Sequence, residues 1–243
     1  MQALLKAVVM DVDGTMYRQG RVRLHVAVQM LRFAIFHPLM AWKSARALAA
    51  YRRAQEELRT TGQPGAAYLQ TAQAARRTGY EEAFISRCVD HWMSTVPLPA
   101  LEKARRPGLL AFLDWAQAEG LRLAVVSDYD AGSKLRALRA DRYFSTVVCA
   151  CDPGVGVFKP NPLGLQVALR RLGVEPAEAL YVGDRLEVDG AAALAAGMAA
   201  ALISTKAIDC PAGVIAVDSW LQVQNLTQDR VHRAASRPGW LTN

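Results

Sequence analysis

The chain has 243 residues, 52% hydrophobic and 21% charged, which fits one large α/β domain carrying a smaller inserted one and excludes a short module, a low-complexity chain or a repeat array. Its net charge of +7 is unevenly spread, with nine Lys/Arg between Arg18 and Gly62 against only Glu56 and Glu57, so that segment attracts anions. Cys88, Cys149, Cys151 and Cys210 form no Cys-x-x-Cys pair and have no histidines at zinc-finger spacing, which predicts buried free thiols rather than a metal site or a disulfide frame.

In chain order, Ala3 to Met10 is an apolar run closed by Asp11 and predicts a strand buried on both faces. It has neither the length nor the cleavage pattern of a signal peptide, so a cytoplasmic location is expected. From about Val22 to Val96 the spacing turns helical. Leu24, Val28, Leu31 and Ile35 share one stripe, expected to pack into a helical core, and His37-Pro38 marks a break before a second helix from about Leu39 to Arg59. A turn cluster at Thr61–Gly65 precedes helices over Ala66–Arg77 and Glu81–Met93, and Pro97 and Pro99 end the insert.

A helix follows from Pro107 to Glu119, stopped by Gly120. Strands are then predicted at Leu121–Val126, Val147–Ala150, Ala179–Val182 and Ala199–Ile203, with helices near Pro162–Leu172 and Asp189–Ala196 between them. Strands alternating with helices of that length imply right-handed crossovers and a doubly wound parallel sheet, interrupted once by the all-helical insert.

In such sheets the ligand site lies beyond the carboxyl ends of the strands, so the polar residues closing each apolar run belong together. They are Asp11-Val12-Asp13-Gly14-Thr15, Ser127-Asp128, Lys159-Pro160 and Gly183-Asp184 followed by Asp189. Clustered carboxylates raise each other's pKa and need a counter-charge. An all-oxygen donor set without histidine favours a hard divalent cation, and Mg²⁺, which pairs naturally with a phosphate oxygen, fits better than zinc. Lys159 and Ser127 would supply donors to a phosphoryl group, and two aspartates on one loop divide into nucleophile and general acid/base. Asp189 opens a predicted helix and has a competing reading as its N-terminal cap.

These four motifs resemble, in order and approximate spacing, those of the haloacid dehalogenase-like (HAD) hydrolases, in particular the subgroup with a helical cap that includes phosphoglycolate phosphatase. The resemblance covers roughly residues 3 to 16 and 107 to 205. It implies a Rossmann-like core of residues 1–17 and 106–224 and a cap of residues 18–105; the remaining residues 225–243 read by their composition as a C-terminal tail, expected to fray. It further implies that Asp11 attacks phosphorus and Asp13 serves as acid and base. Ser127 and Lys159 hold the phosphoryl oxygens, and Mg²⁺ is bound by the Asp11 side chain, the Asp13 carbonyl and Asp184, with Asp189 in the outer shell or ordering the loop. Thr15, Asp128 and Arg18 are the candidates nearest the substrate, with Tyr17, Arg21, Trp42 and Arg46 as further cap-side candidates.

An aspartate two residues after the nucleophile sets this chain apart from members that cleave carbon–halogen bonds. The expected activity is hydrolysis of a small phosphate monoester through an aspartyl phosphate. The alternatives are a phosphomutase of the same fold, or a non-catalytic binding protein using the basic cap as a partner surface. No nucleic acid partner is expected, and Leu24 to Trp42 is too interrupted to span a membrane, though it could touch lipid or a protein at a surface.

Overall fold

The computed structural model describes residues 3–205, 207 and 209–232. Strands β1 (Ala7–Met10), β2 (Arg122–Ser127), β3 (Thr146–Cys149), β4 (Ala179–Gly183), β5 (Ala199–Ile203) and β6 (Val214–Val217) form one sheet in the order β3-β2-β1-β4-β5-β6. Every neighbouring pair is parallel, as the strand–helix alternation predicts. β1 and β4 are buried along their whole length because helices cover both faces, which is why those segments read as continuous apolar runs.

On one face Val8 and Met10 meet Phe112 and Leu113 of α6 (Leu109–Ala118), Leu135 of α7 (Gly132–Ala137) and Trp220 of α10 (Trp220–His232). On the other, Val9, Val126 and Tyr181 meet Leu165 and Ala168 of α8 (Leu163–Leu172) and Ala192 of α9 (Ala191–Ala195). The chain runs from β1 outward to β2 and β3, then crosses back to β4 on the other side of β1. The strand order therefore reverses between β1 and β4, and a crevice opens at their carboxyl ends.

Between β1 and β2 stand α1 (Gln19–Phe36), α2 (Pro38–Thr61), α3 (Ala66–Thr78) and α4 (Glu82–Val89), the last running into a wide turn over Asp90–Thr95. Ala47, Leu48, Tyr51, Ala74, Ile85 and Trp92 make their common core. The neck is narrow: Tyr17 and Arg105 form an isolated antiparallel bridge, the Arg18 N–H donates to the Ala104 carbonyl, and the Arg106 N–H donates to the Met16 carbonyl.

Four expectations are corrected. Leu24, Val28, Leu31 and Ile35 do not enter the helical core; they are exposed, and the residues of α1 that pack inward are Val26, Met30 and Phe33. Pro97 and Pro99 do not close the insert as a coil, because α5 (Leu98–Ala104) begins there; proline is tolerated in a first turn, where the missing N–H would have no partner. The tail is not frayed from Asn225, since α10 continues to His232 with Val223 and Thr227 buried; residues 233–243 lie outside the described residues. Cys149 and Cys151 are joined in a disulfide rather than free, because the turn closing β3 brings their Cα atoms to 5.1 Å. Cys88 and Cys210 are free.

Candidate active site

β1 delivers Asp11 directly to the crevice, its N–H bonded to the Val182 carbonyl of β4 at 2.9 Å. The next residues turn sharply back. Gly14 has φ 98°, and a Cβ there would lie 2.1 Å from Asp184 Oδ2, so only glycine lets the loop approach that carboxylate. Arg106 holds the turn by donating from Nε and a terminal nitrogen to the Gly14 carbonyl at 3.1 and 2.8 Å. Thr15 Oγ1 donates to Asp11 Oδ2 at 3.2 Å.

Lys159 is the hub. Its ammonium, buried, donates to Asp11 Oδ1 at 2.6 Å, to Asp189 Oδ1 at 2.7 Å and to the Tyr181 hydroxyl at 3.0 Å. Burial disfavours its charge, but Asp11 and Asp189 outweigh that and hold its pKa well above the ordinary value. The pKa of Asp11 rises too, which for a carboxylate favours the neutral form: burial lifts it well up, Lys159 only partly offsets this, and Asp189, Asp184 and Asp13 add to the rise. Burial and then Asp189 push Asp184 up to about 7.

Asp189 does not cap the following helix. Its Oδ2 accepts from the backbone N–H groups of Asp184 and Arg185, upstream of it, at 3.2 and 3.1 Å, while Oδ1 takes Lys159 and the Tyr181 hydroxyl. Burial works against its ionisation, yet Lys159 and these N–H donors bring its pKa below the usual carboxylate value. Gly183 makes this possible, since a Cβ there would sit 2.4 Å from the Asp189 Cβ.

Asp13 has partners the sequence did not suggest. Lys134, from α7, donates to both its carboxylate oxygens at 2.7 and 2.5 Å, and the Tyr17 hydroxyl donates to Oδ1. Burial opposes ionisation of Asp13, but the Lys134 charge and these hydrogen bonds prevail and lower its pKa. Lys134 stands seven residues after Ser127 in a helix that starts at a strand end; that position is the signal by which the sequence could have offered it.

Ser127 closes β2, buried, its Oγ accepting from the Tyr129 N–H at 3.3 Å. Asp128 faces the cap: Oδ2 accepts from Arg59 at 2.5 Å and from Gln55 at 3.5 Å, and Oδ1 from the Lys159 N–H at 3.1 Å. Of the cap-side candidates, Arg18 is exposed at the neck, and Arg46 stacks at 4.8 Å over Trp42, which is itself exposed. Cap residues that do reach the site loops include Gln55, Arg59, Glu56, whose carboxylate pairs with Arg185 at 3.6 Å, and Gln70, whose amide donates to the Tyr129 hydroxyl at 2.9 Å.

Oxygens of Asp11, Asp184 and Asp189 lie within 4.8 Å of one another, two of the three residues buried. This is a hard-cation donor set. The fit is also electrostatic, because three carboxylates share one ammonium and two of them have raised pKa values. A second cluster, Cys149, Cys151 and Asp152, has its sulfurs tied in the disulfide. The 650 Å³ cavity lined by Ala200, Ile215 and Leu226 contains none of these site residues.

A family model of haloacid dehalogenase-like hydrolases matches residues 5–197. The chain is 32% identical over 206 residues to a glyceraldehyde 3-phosphate phosphatase of Methanopyrus kandleri, covering 80% of this chain and 82% of that protein. It is 25% identical over 204 residues to a phosphoglycolate phosphatase of Pseudomonas syringae pv. tomato, covering 83% and 70%. In fold it is similar to a 2-haloacid dehalogenase of Pseudomonas syringae pv. tomato, with a TM-score of 0.66 at 22% identity over 93% of this chain and 99% of that one. A HAD-hydrolase of Bacillus subtilis bound to magnesium gives a TM-score of 0.66 at 13% identity over 92% and 99%.

Proposed function

Because the chain belongs to the haloacid dehalogenase-like hydrolase family, we propose that it is a Mg²⁺-dependent phosphatase that hydrolyses a small phosphate monoester through an aspartyl phosphate on Asp11. The observation that carries this reading is the pairing of Asp11 with Lys159 at 2.6 Å, beside Asp184, with a second aspartate two residues along the same loop. The curated relatives named above act on small phosphorylated compounds by their names, which supports a substrate of that class.

Asp11 and Asp184, with the Asp13 carbonyl, would hold the cation, which when bound neutralises charge on the phosphoryl oxygens. Asp189 orders the loop and anchors Lys159. Asp11 attacks phosphorus through one carboxylate oxygen, the bond from phosphorus to the ester oxygen breaks, and Asp13 gives that oxygen its proton. Asp13 then takes a proton from water, whose oxygen attacks phosphorus, freeing phosphate and restoring Asp11. Lys159 and Ser127 donate to the phosphoryl oxygens, with Thr15 fixing the orientation of Asp11. Asp128 and Arg59 define the cap side of the pocket, and the buried Arg59 Nε, which has no partner, is a donor available to a substrate oxygen.

The test is phosphate release from a panel of small phosphate monoesters, with Mg²⁺ and with chelator, for the native chain and Asp11→Asn. Turnover that needs the metal and falls by about a thousandfold or more in the variant is expected. Turnover retained in Asp11→Asn would overturn the mechanism.

A further inference from the structure

Among the described residues fifteen large hydrophobic side chains are exposed, and eight of them fall between Leu24 and Trp42, so they form a patch rather than a scatter. Helical spacing of about 100° per residue places Leu24, Val28, Leu31 and Ile35 in one stripe along α1, opposite the inward stripe of Val26, Met30 and Phe33. Leu31 is 68% and Ile35 73% exposed. The stripe continues into Phe36 and then Leu39, Met40 and Trp42 at the start of α2.

Charge frames the patch. By the same spacing Arg21 and Arg32 border the stripe directly on one side, while the exposed Arg23 lies about 110° from its axis on the other, with Lys43 and Arg46 beyond the tip. No Asp or Glu occurs from residue 14 to residue 55. Arg46 lies 4.8 Å over the Trp42 ring, an arrangement of cation and amphipathic ring suited to a boundary between apolar and polar media.

We propose that this outer face of α1 and the start of α2 docks on an anionic lipid bilayer surface. A second copy of the chain is disfavoured as occupant, because an isologous contact would bring arginine against arginine with no carboxylate in the segment to separate them. An anionic bilayer supplies what the face lacks: negative charge at headgroup level for the arginines and an apolar layer beneath for the leucine, isoleucine and phenylalanine side chains. Docking is peripheral, since no described helix is long and apolar enough to cross a membrane. It does not rest on the catalytic reading.

The experiment is sedimentation of the full chain with vesicles of phosphatidylcholine alone and of phosphatidylcholine with phosphatidylglycerol. Binding is expected only with phosphatidylglycerol, weakening as salt rises. Leu31→Glu with Ile35→Glu is expected to lower it at least about tenfold, as is Arg23→Glu with Arg32→Glu, with the melting temperature unchanged because all four positions are exposed. No binding to the anionic vesicles, or binding that neither double variant weakens, overturns the proposal. So does a native dimer in size-exclusion chromatography that Leu31→Glu with Ile35→Glu converts to monomer.

Discussion

Arg59 of α2 and Asp128, one residue beyond β2, meet across the seam between cap and core at 2.5 Å, their side chains only 11% and 9% exposed. The same Asp128 accepts from the Lys159 backbone N–H, so a cap residue is linked through one carboxylate to the loop that carries the central lysine. The position of the cap and the order of the site loop are thereby tied together.

Arg59→Met leaves Asp128 facing a seam without its cation, and truncating one partner of a buried pair is costly. Because the pair spans the seam, the cost is expected as opening of the cap rather than global unfolding. kcat/KM is expected to fall about tenfold or more, and adding Asp128→Asn is expected to restore part of it. Steady-state kinetics on the two variants checks this, and a purely additive double variant would deny the coupling.

Asp184 sets a pH dependence. Burial and then Asp189 raise its pKa in the fold to about 7, above the ~3.9 of an unfolded chain. The folded chain therefore holds a proton that the unfolded chain has released across that window, and metal-free stability falls as pH rises through it. A divalent cation binds the ionised form and offsets this loss. The rise in melting temperature on adding Mg²⁺ is expected to be small near pH 5 and much larger near pH 8; equal shifts at both would contradict the assignment of Asp184 to the cation.

Lys134 is expected to act through Asp13. With Lys134→Met the carboxyl loses the ammonium that lowers its pKa, so its proton is held to higher pH. The limb of the kcat/KM profile set by loss of the Asp13 proton, which in the native chain lies below the ordinary carboxylate range, is expected to move upward. A limb that stays in place would leave Lys134 a merely structural role.

Gly14→Ala brings a Cβ to 2.1 Å from Asp184 Oδ2 at a φ of 98°. Loss of roughly 2 kcal/mol of stability and weakened Mg²⁺ binding are expected, by thermal melting with and without metal. Gly79→Ala is the control: its φ is also positive, at 73°, but nothing lies within 4 Å, so it should reproduce the backbone strain without the effect on metal.

The sheet and the strand-end carboxylates were legible because both are written locally. A run such as Ala7–Met10 is apolar throughout when both its faces are buried, and the polar residue that ends it falls in the crevice by topology alone. What was misread depends on context. α1 carries two apolar stripes, and spacing cannot say which one meets the rest of the cap; Val26, Met30 and Phe33 do. β6 has only four residues, two of them exposed, on the sheet edge, too short for a periodic signal. Lys134 reaches Asp13 from 121 residues away, and Arg59 reaches Asp128 from 69. Contacts of that span are made by the fold: for Lys134 the sequence offers only its place seven residues after Ser127, and for Arg59 the local pattern carries no signature.

Tyr17 and Arg105 are bridged where the chain leaves the core and where it returns. Whatever lies between them begins and ends at one point, so that stretch can be lengthened, trimmed or exchanged without moving the register of any strand. The carboxylates at the strand ends can then be inherited unchanged while the segment that stands over them diverges on its own.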